Sequence, residues 1–333
     1  MAINMKALLA GVMVMFSFTE QGFGQTYAEK LGFPKWAKVV ILHVDDVGMS
    51  YDSNMGAIRA TEDGVATSMS VMMPCPWVAG FLNYLKTHPK TDAGLHLTLT
   101  SEWREYRWGP VAGKPAVPGL VDPEGALWHG VDDVAKHASA AELAREIRSQ
   151  LDKARTMGFE PTHLDTHMGT VFATREFLEE YLKLGMEQHI PVMFPGGHNS
   201  MISKEPSGLT MEHTTAIGKR LWAAGLPVLD DLHNVSYEFR YPKDLGVTDQ
   251  QLQEMAVRQY IASFAQLQPG VTMVIMHCTA TSEIFRQISD SGNTRRGDLL
   301  AMLSPELRKY LSDNGIILTT WRELKERRDK VGK

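Results

Sequence analysis

Val39-Val40-Ile41-Leu42-His43-Val44-Asp45-Asp46 is an apolar, β-branched run that ends in two carboxylates. Such a run reads as a strand buried on both faces, as in a parallel sheet. Runs of the same kind follow at Ala66–Met73, Ala93–Thr100, Thr162–His167, Pro191–Pro195, Leu226–His233, Val271–Cys278 and Gly315–Trp321. Helical patterns lie between them. Ser53 is placed to cap Asn54–Glu62. Ala141–Met157 carries Leu143, Ile147, Leu151 and Ala154 at three- and four-residue spacing. Arg175–Gln188, Met211–Ala224, Asp249–Gln266 and Leu299–Asn314 read similarly. This alternation predicts an α/β fold, a distorted (β/α) TIM-like barrel of seven or eight strands, in a single domain over residues 25–333. The alternative is an open doubly wound sheet. No G-x-G-x-x-G follows the first strand, so nothing marks a dinucleotide site. In a barrel the C-terminal strand ends share one mouth, and that places the scattered Asp and His residues together.

The chain has 333 residues, 44% of them hydrophobic, which suffices for a sizeable core. A net charge of −5 without a basic stripe gives no sign of a nucleic-acid binder, and none is expected as a partner. Residues 1–24 resemble a secretory signal. Lys6 is followed by the apolar stretch Ala7 to Phe18, and Gly22-Phe23-Gly24 suits a cleavage site. The expectation is cleavage after Gly24 and export to the periplasm or beyond. The apolar stretch is too short to span ~30 Å of bilayer. No cysteine near the cleavage site would carry a lipid, so no stable membrane anchor is expected. Cys75 and Cys278 make no disulfide framework and are read as separate thiols.

Asp45-Asp46-x-Gly48 is the sharpest motif. Neighbours on a strand point to opposite faces, but where the chain turns both carboxylates can reach one cavity. One can bind a cation while the other takes a proton from water. His163-x-Asp165-x-His167 has period-two spacing, so the three side chains share a strand face. His167 is nearest the mouth and is the better ligand. Asp165 is placed to orient an imidazole. His163, deeper, reads as a core histidine. His96 lies between leucines, and with Asp46 and His167 it completes an Asp-His-His set for one divalent metal ion. Zinc or magnesium suits that set best, and cobalt or manganese is compatible. His277 ends the seventh run, placed to act as a general acid or to bond an oxyanion. His43 shares strand parity with Asp45 and supports it. Asp230, Asp231 and His233 form a weaker cluster, read as substrate contacts or support. The long insertion Ser101–Ser139 carries Trp103, Tyr106, Trp108 and Trp128. Its flat rings suit a sugar face, or anchor the loop on the barrel.

Val44-Asp45-Asp46-Val47-Gly48, Gly94-Leu95-His96-Leu97-Thr98-Leu99-Thr100 and Thr162-His163-Leu164-Asp165-Thr166-His167 together resemble the signature segments of the YdjC-like carbohydrate deacetylases. That family includes chitooligosaccharide deacetylases and is related in mechanism to polysaccharide deacetylases. The resemblance implies a distorted (β/α) barrel, metal ligation by Asp46, His96 and His167, and Asp45 as catalytic base. It also implies an N-acetylated sugar or oligosaccharide as substrate, losing acetate to leave an amine. The chain departs from the family pattern at Met168-Gly169-Thr170 and at Cys278-Thr279-Ala280. Alternatives are another metal reaction on sugars, such as isomerisation or phosphoester cleavage, and a non-catalytic glycan-binding barrel.

Overall fold

A computed structural model describes residues 25–200, 209–238, 241 and 246–332; the expected leader, 1–24, lies outside them. The strands are β1 (Lys38–Val47), β2 (Ser68–Val71), β3 (Ala93–Leu97), β4 (Leu164–Thr166), β5 (Asp231–Asn234), β6 (Gly270–Met276) and β7 (Ile317–Leu318). Every ladder is parallel, in the order β4-β3-β2-β1-β6-β5, with β7 paired to β1 off this path. β1 is the centre of the sheet. It pairs with β6 from Lys38↔Gly270 to Val44↔Met276. On its other side it meets β7 at Val39↔Ile317 and β2 at His43↔Ser68.

Side chains alternate between two faces, as a strand requires. Val40, Leu42, Val44, Met69, Val71, Leu95, Leu97, Val274 and Met276 belong to the large apolar cluster shared with the helices. Val39, Ile41, Leu232, Val271 and Met273 belong to a second, smaller cluster with Trp321, Leu324, Leu31 and Phe33. This second cluster fills the inside of a curled sheet at the strands' N-terminal ends. The same inward positions nearer the C-terminal ends are polar: His43, Asp45, Ser68, Ser70, His96, His163 and Asp165, all buried. An apolar floor thus supports a polar upper storey, and that storey holds the site.

The expected parallel α/β fold is what forms, as a curled sheet, but not every expected strand does. Pro191–Pro195 makes only isolated bridges, Leu164↔Val192 and Pro195↔Leu229. Its two prolines lack the N–H that a ladder needs. Leu226–His233 enters a ladder only from Asp231, and Gly315–Trp321 shrinks to two residues because Trp321 opens a helix. Helix boundaries move for equally local reasons. Ser50, not Ser53, caps the helix Tyr51–Glu62, its hydroxyl accepting from Ser53 N at 3.0 Å. The expected helix Leu299–Asn314 is two, Gly292–Met302 and Pro305–Asp313, because Pro305 cannot continue a helix but starts one well. Ala140–Thr156 opens with a capping box formed by Ser139 and Glu142. Cys75 and Cys278 are buried free thiols, as expected. Among the described residues no helix is long and apolar enough to cross a membrane.

Candidate metal centre

Asp45 and Asp46 reach one cavity because β1 stops being regular where they lie. Its pairing to β2 shifts between Val44 and Val47, and Asp46 has φ 65°. Left-handed backbone is uncommon for a residue with a side chain, and Asp tolerates it better than most. The twist turns Asp46 back toward the side that Asp45 already faces. Gly48, at φ 86°, completes the turn, and its N–H donates to Asn54 Oδ1 at 2.7 Å. His167 follows the last residue of β4, and Met168 and Gly169 then take positive φ, so the chain leaves the strand abruptly.

These two turns and β3 bring three candidate ligand atoms together. Asp46 Oδ1 lies 3.3 Å from His96 Nε2 and 3.2 Å from His167 Nδ1, and the two nitrogens are 3.3 Å apart. A tetrahedral ion with ligands at about 2.0–2.1 Å has edges of about 3.3–3.4 Å. The triangle is therefore already the size of one face of such a tetrahedron. Asp46 Oδ2 is ion-paired with Arg295 at 2.6 Å, while Oδ1, aimed between the two imidazoles, is buried and satisfies no hydrogen bond among the described residues. A buried carboxylate oxygen is rarely left so, and a cation between it and the two imidazole nitrogens is the natural partner. The residues present fit a divalent metal.

Each imidazole is held from behind. His96 Nδ1 lies 2.8 Å from Asp165 Oδ1, and His167 Nε2 lies 2.9 Å from Glu102 Oε2. Such carboxylates fix the tautomer that leaves the other nitrogen free for a metal. Asp165 also meets His43 Nε2 at 2.7 Å and His163 Nε2 at 3.7 Å. His43 bonds Ser68 and Ser70 hydroxyls and lies 3.1 Å from Asp45 Oδ1, the supporting place expected of it. His163 is the deep core histidine expected, stacked on Trp321 at 5.1 Å and wedged beneath Gly94. Two further Asp/His groups, His43-His163-Asp165 and Asp45-His96-Asp165, have ligand-like spacing. Of Asp46, His96 and His167, two line the cleft, against none of His43, His163 and Asp165, and Asp45 alone of Asp45, His96 and Asp165.

The charges follow from this packing. Burial pushes the Asp46 carboxyl up, but the Arg295 guanidinium, 2.6 Å from Oδ2, and the two imidazoles hold it well below the usual range. Burial would lower His167, yet Glu102 and Asp46 raise it to about 9. His43 is likewise raised to about 9 by Asp165 and Asp45 against its burial. His277 goes the other way: burial takes it down to about 4. Its Nδ1 lies 3.0 Å from Ser236 Oγ, and its Nε2 faces Asp45 Oδ2 at 3.9 Å.

A cleft of about 490 Å³ opens over the triangle, walled by Asp45, Glu102, Trp103, Tyr237, His277 and Arg295 among others. Trp103 lines it, with the Arg295 guanidinium 5.4 Å from its ring. Trp108 does not line it. That ring is buried, bonded through Nε1 to Thr100 O, and packs edge-on against His167 at 6.4 Å. The insertion is thus mostly self-anchored, and only its first residues reach the cleft.

Asp230 and Asp231 are not in the site. Asp230 accepts from the backbone N–H of Tyr27, Ala28 and Val271, and faces a separate cavity of about 650 Å³ beside Tyr27 and Trp36. Val271 stands at the opposite end of β6 from His277, roughly 20 Å away at ~3.3 Å per residue. Asp231 pairs with Thr272 and is tied to His198, His233 and Ser200. The strand end at the mouth is Asn234, three residues on. Glu102, Arg295 and Asp298 were not anticipated from sequence. Glu102 closely follows the His96 motif, a signal that could have been read. Arg295 and Asp298 sit on a helix far along the chain and carry no local signature.

The chain matches the model of the family described as YdjC-like protein over residues 39–313. It belongs to the YdjC-like family. Among its relatives, this YdjC-like chain is 29% identical to a carbohydrate deacetylase of Thermus thermophilus, covering 87% of the chain and 94% of the relative. It is 26% identical to a carbohydrate deacetylase of Brevibacillus brevis, over 86% of the chain and 99% of the relative. A chitooligosaccharide deacetylase of Yersinia enterocolitica is 30% identical over 135 residues, 39% of the chain and 49% of that protein. A solved structure from Enterococcus faecalis, named for cellobiose-phosphate cleavage, superposes with a TM-score of 0.66 at 20% identity over 86% of the chain and 99% of its own. That likeness concerns the fold of the YdjC-like chain.

Proposed function

We propose that this protein is a metal-dependent carbohydrate deacetylase that hydrolyses the acetamido group of N-acetylated sugars. The observation that carries the reading is the triangle of Asp46 Oδ1, His96 Nε2 and His167 Nδ1 beneath an open cleft. The names of the full-length relatives support the substrate class. A metal held there would polarise the acetyl carbonyl and acidify water. Zinc, which prefers four tetrahedral ligands, matches the edge lengths better than magnesium, whose octahedral edges are shorter at about 2.9 Å.

Asp45 is the base. It lines the cleft beside the triangle and takes a proton as water attacks the acetyl carbon. His277, neutral at rest because it is buried, accepts that proton through Nε2 across the 3.9 Å gap and delivers it to the departing nitrogen. The C–N bond breaks, leaving acetate and an amine. Ser236 holds Nδ1, so Nε2 stays aimed at the cleft. Asp165 and Glu102 keep the two histidine ligands in the required tautomers. Export remains part of this reading on the leader pattern alone, and N-terminal sequencing of the mature chain tests it.

The test is acetate release from N-acetylated mono- and oligosaccharides, using metal-stripped protein and protein reloaded with zinc, cobalt, manganese or magnesium. Release only after reloading is expected, with zinc among the active ions. Bound metal at one per chain with no acetate from any sugar overturns the proposal.

A further inference from the structure

We infer that the Asn234 carboxamide is a substrate-recognition group that bonds a hydroxyl of the sugar being deacetylated. The inference rests on the deacetylase reading above and deepens it. Asn234 is the last residue of β5 and pairs with Ile275 of β6, two residues before His277. It lines the catalytic cleft, and its neighbour Tyr237 presents a half-exposed ring there, edge-on to His277 at 4.8 Å. Leu232, two residues earlier on the same face, packs in the inner cluster, so Asn234 continues that face upward to the mouth.

The side chain is unusual because its Oδ1 is enclosed and has no hydrogen-bond partner among the described residues. An enclosed amide oxygen without a partner is unfavourable, and a leucine would suit the same wall better if the wall only had to be filled. Other polar side chains around it are committed: Ser236 to His277 and Asp298, and His233 to Ser263. Among the described residues of this strand end, Asn234 lines the cleft with its amide oxygen uncommitted. A hydroxyl both donates and accepts, so it satisfies the carboxamide in either orientation of its oxygen and nitrogen. A carbohydrate supplies such hydroxyls next to the acetamido group, and the Tyr237 ring beside it offers a flat apolar face to the same sugar.

The experiment compares wild type with Asn234→Leu, using N,N′-diacetylchitobiose as substrate and zinc-loaded protein. The expected result has two parts. kcat/KM falls about three- to tenfold, mainly through KM, as for loss of a neutral hydrogen bond. Thermal stability of the sugar-free variant is equal or higher, because an unpartnered amide oxygen has been removed. Zinc affinity stays unchanged. A fall in stability overturns the inference by assigning Asn234 a structural role, and an unchanged kcat/KM overturns it directly. Both results leave the deacetylase reading intact. A wild-type enzyme that releases no acetate while the variant is merely more stable removes the reading, and the inference with it.

Discussion

Asp165 Oδ1 lies 2.8 Å from His96 Nδ1, on the side of the ring away from Nε2, which faces Asp46. The carboxylate is fully buried and touches three imidazoles, so it sets the orientation of the polar storey as well as of one candidate ligand. Burial pushes its pKa up, but His96, His163 and His43 outweigh burial and keep it ionised. Asp165→Asn keeps the shape and removes the charge. Metal affinity is expected to fall about 10–100-fold, the usual effect of losing a partner behind a histidine ligand. Titration of metal-stripped protein with zinc and a competing chelator measures this. Undiminished affinity would show that His96 is positioned by its packing alone.

Glu102 plays the same part for His167, but its side chain is 21% exposed and comes from a loop. A partly solvated partner contributes less than a buried one. Glu102→Gln is therefore expected to weaken zinc binding less than Asp165→Asn, by about tenfold or under, with no loss of thermal stability. The same titration ranks the two variants, and the opposite ranking contradicts the argument.

The first strand, its terminal carboxylates and the set Asp46, His96 and His167 were legible because a local pattern carries each. β-branched runs end in polar residues, and period-two spacing places His163, Asp165 and His167 on one face. What failed was registration across strands. Asp230 and Asp231 close an apolar run just as Asp45 and Asp46 do, yet Asp231 pairs with Thr272, near the start of β6. A run's own composition does not say how far along its neighbour it sits. The proline-flanked run 191–195 failed because the backbone donors of a ladder outweigh apolar composition. Arg295 reaches Asp46 from a helix more than two hundred residues later, which only the assembled fold reveals.

Asp45 lines the cleft beside the ligand triangle, and in the proposed chemistry it removes a proton rather than binding metal. Asp45→Asn is expected to keep zinc at one per chain and lose about 10²–10⁴-fold in turnover, the usual contribution of a general base. His96→Ala is expected to lose the zinc itself. Metal content and acetate release, measured on the same preparations, separate the two roles. Near-normal turnover by Asp45→Asn would remove the base assignment.

Gly94 makes room for His163. A Cβ there would stand 2.5 Å from His163 Cε1 and Nε2, and the ring has no retreat because Trp321 stacks on its other side. Gly94→Ala should therefore destabilise by about 1–3 kcal/mol, as overpacking of a close-packed interior does. It should also weaken zinc binding, because His163 braces Asp165. Chemical denaturation and zinc titration check the two effects. A variant as stable as wild type would mean the ring shifts freely.

Asp298 ties the mouth to the helix layer. Its carboxylate accepts from the Ser236 and Tyr260 hydroxyls and from His277 N. Burial pushes its pKa up to about 6 from an ordinary 3.8, with those donors and Arg295 pulling it back only in part. Below about pH 4 the group is protonated whether the chain is folded or unfolded. As pH rises from about 4 to about 6, the unfolded chain loses this proton first, so unfolding becomes easier. A rise of that size corresponds to about 3 kcal/mol, fully expressed above about pH 7. The stability of wild type minus that of Asp298→Asn should therefore fall by about 2 kcal/mol between pH 4.5 and 7.5, the remainder of the ~3 kcal/mol being lost below pH 4.5, and level off above about pH 7. Denaturant melts of the metal-free proteins at pH 4.5, 5.5, 6.5 and 7.5 measure the difference. A constant difference would mean that the three donated hydrogen bonds fully offset the burial of the charge.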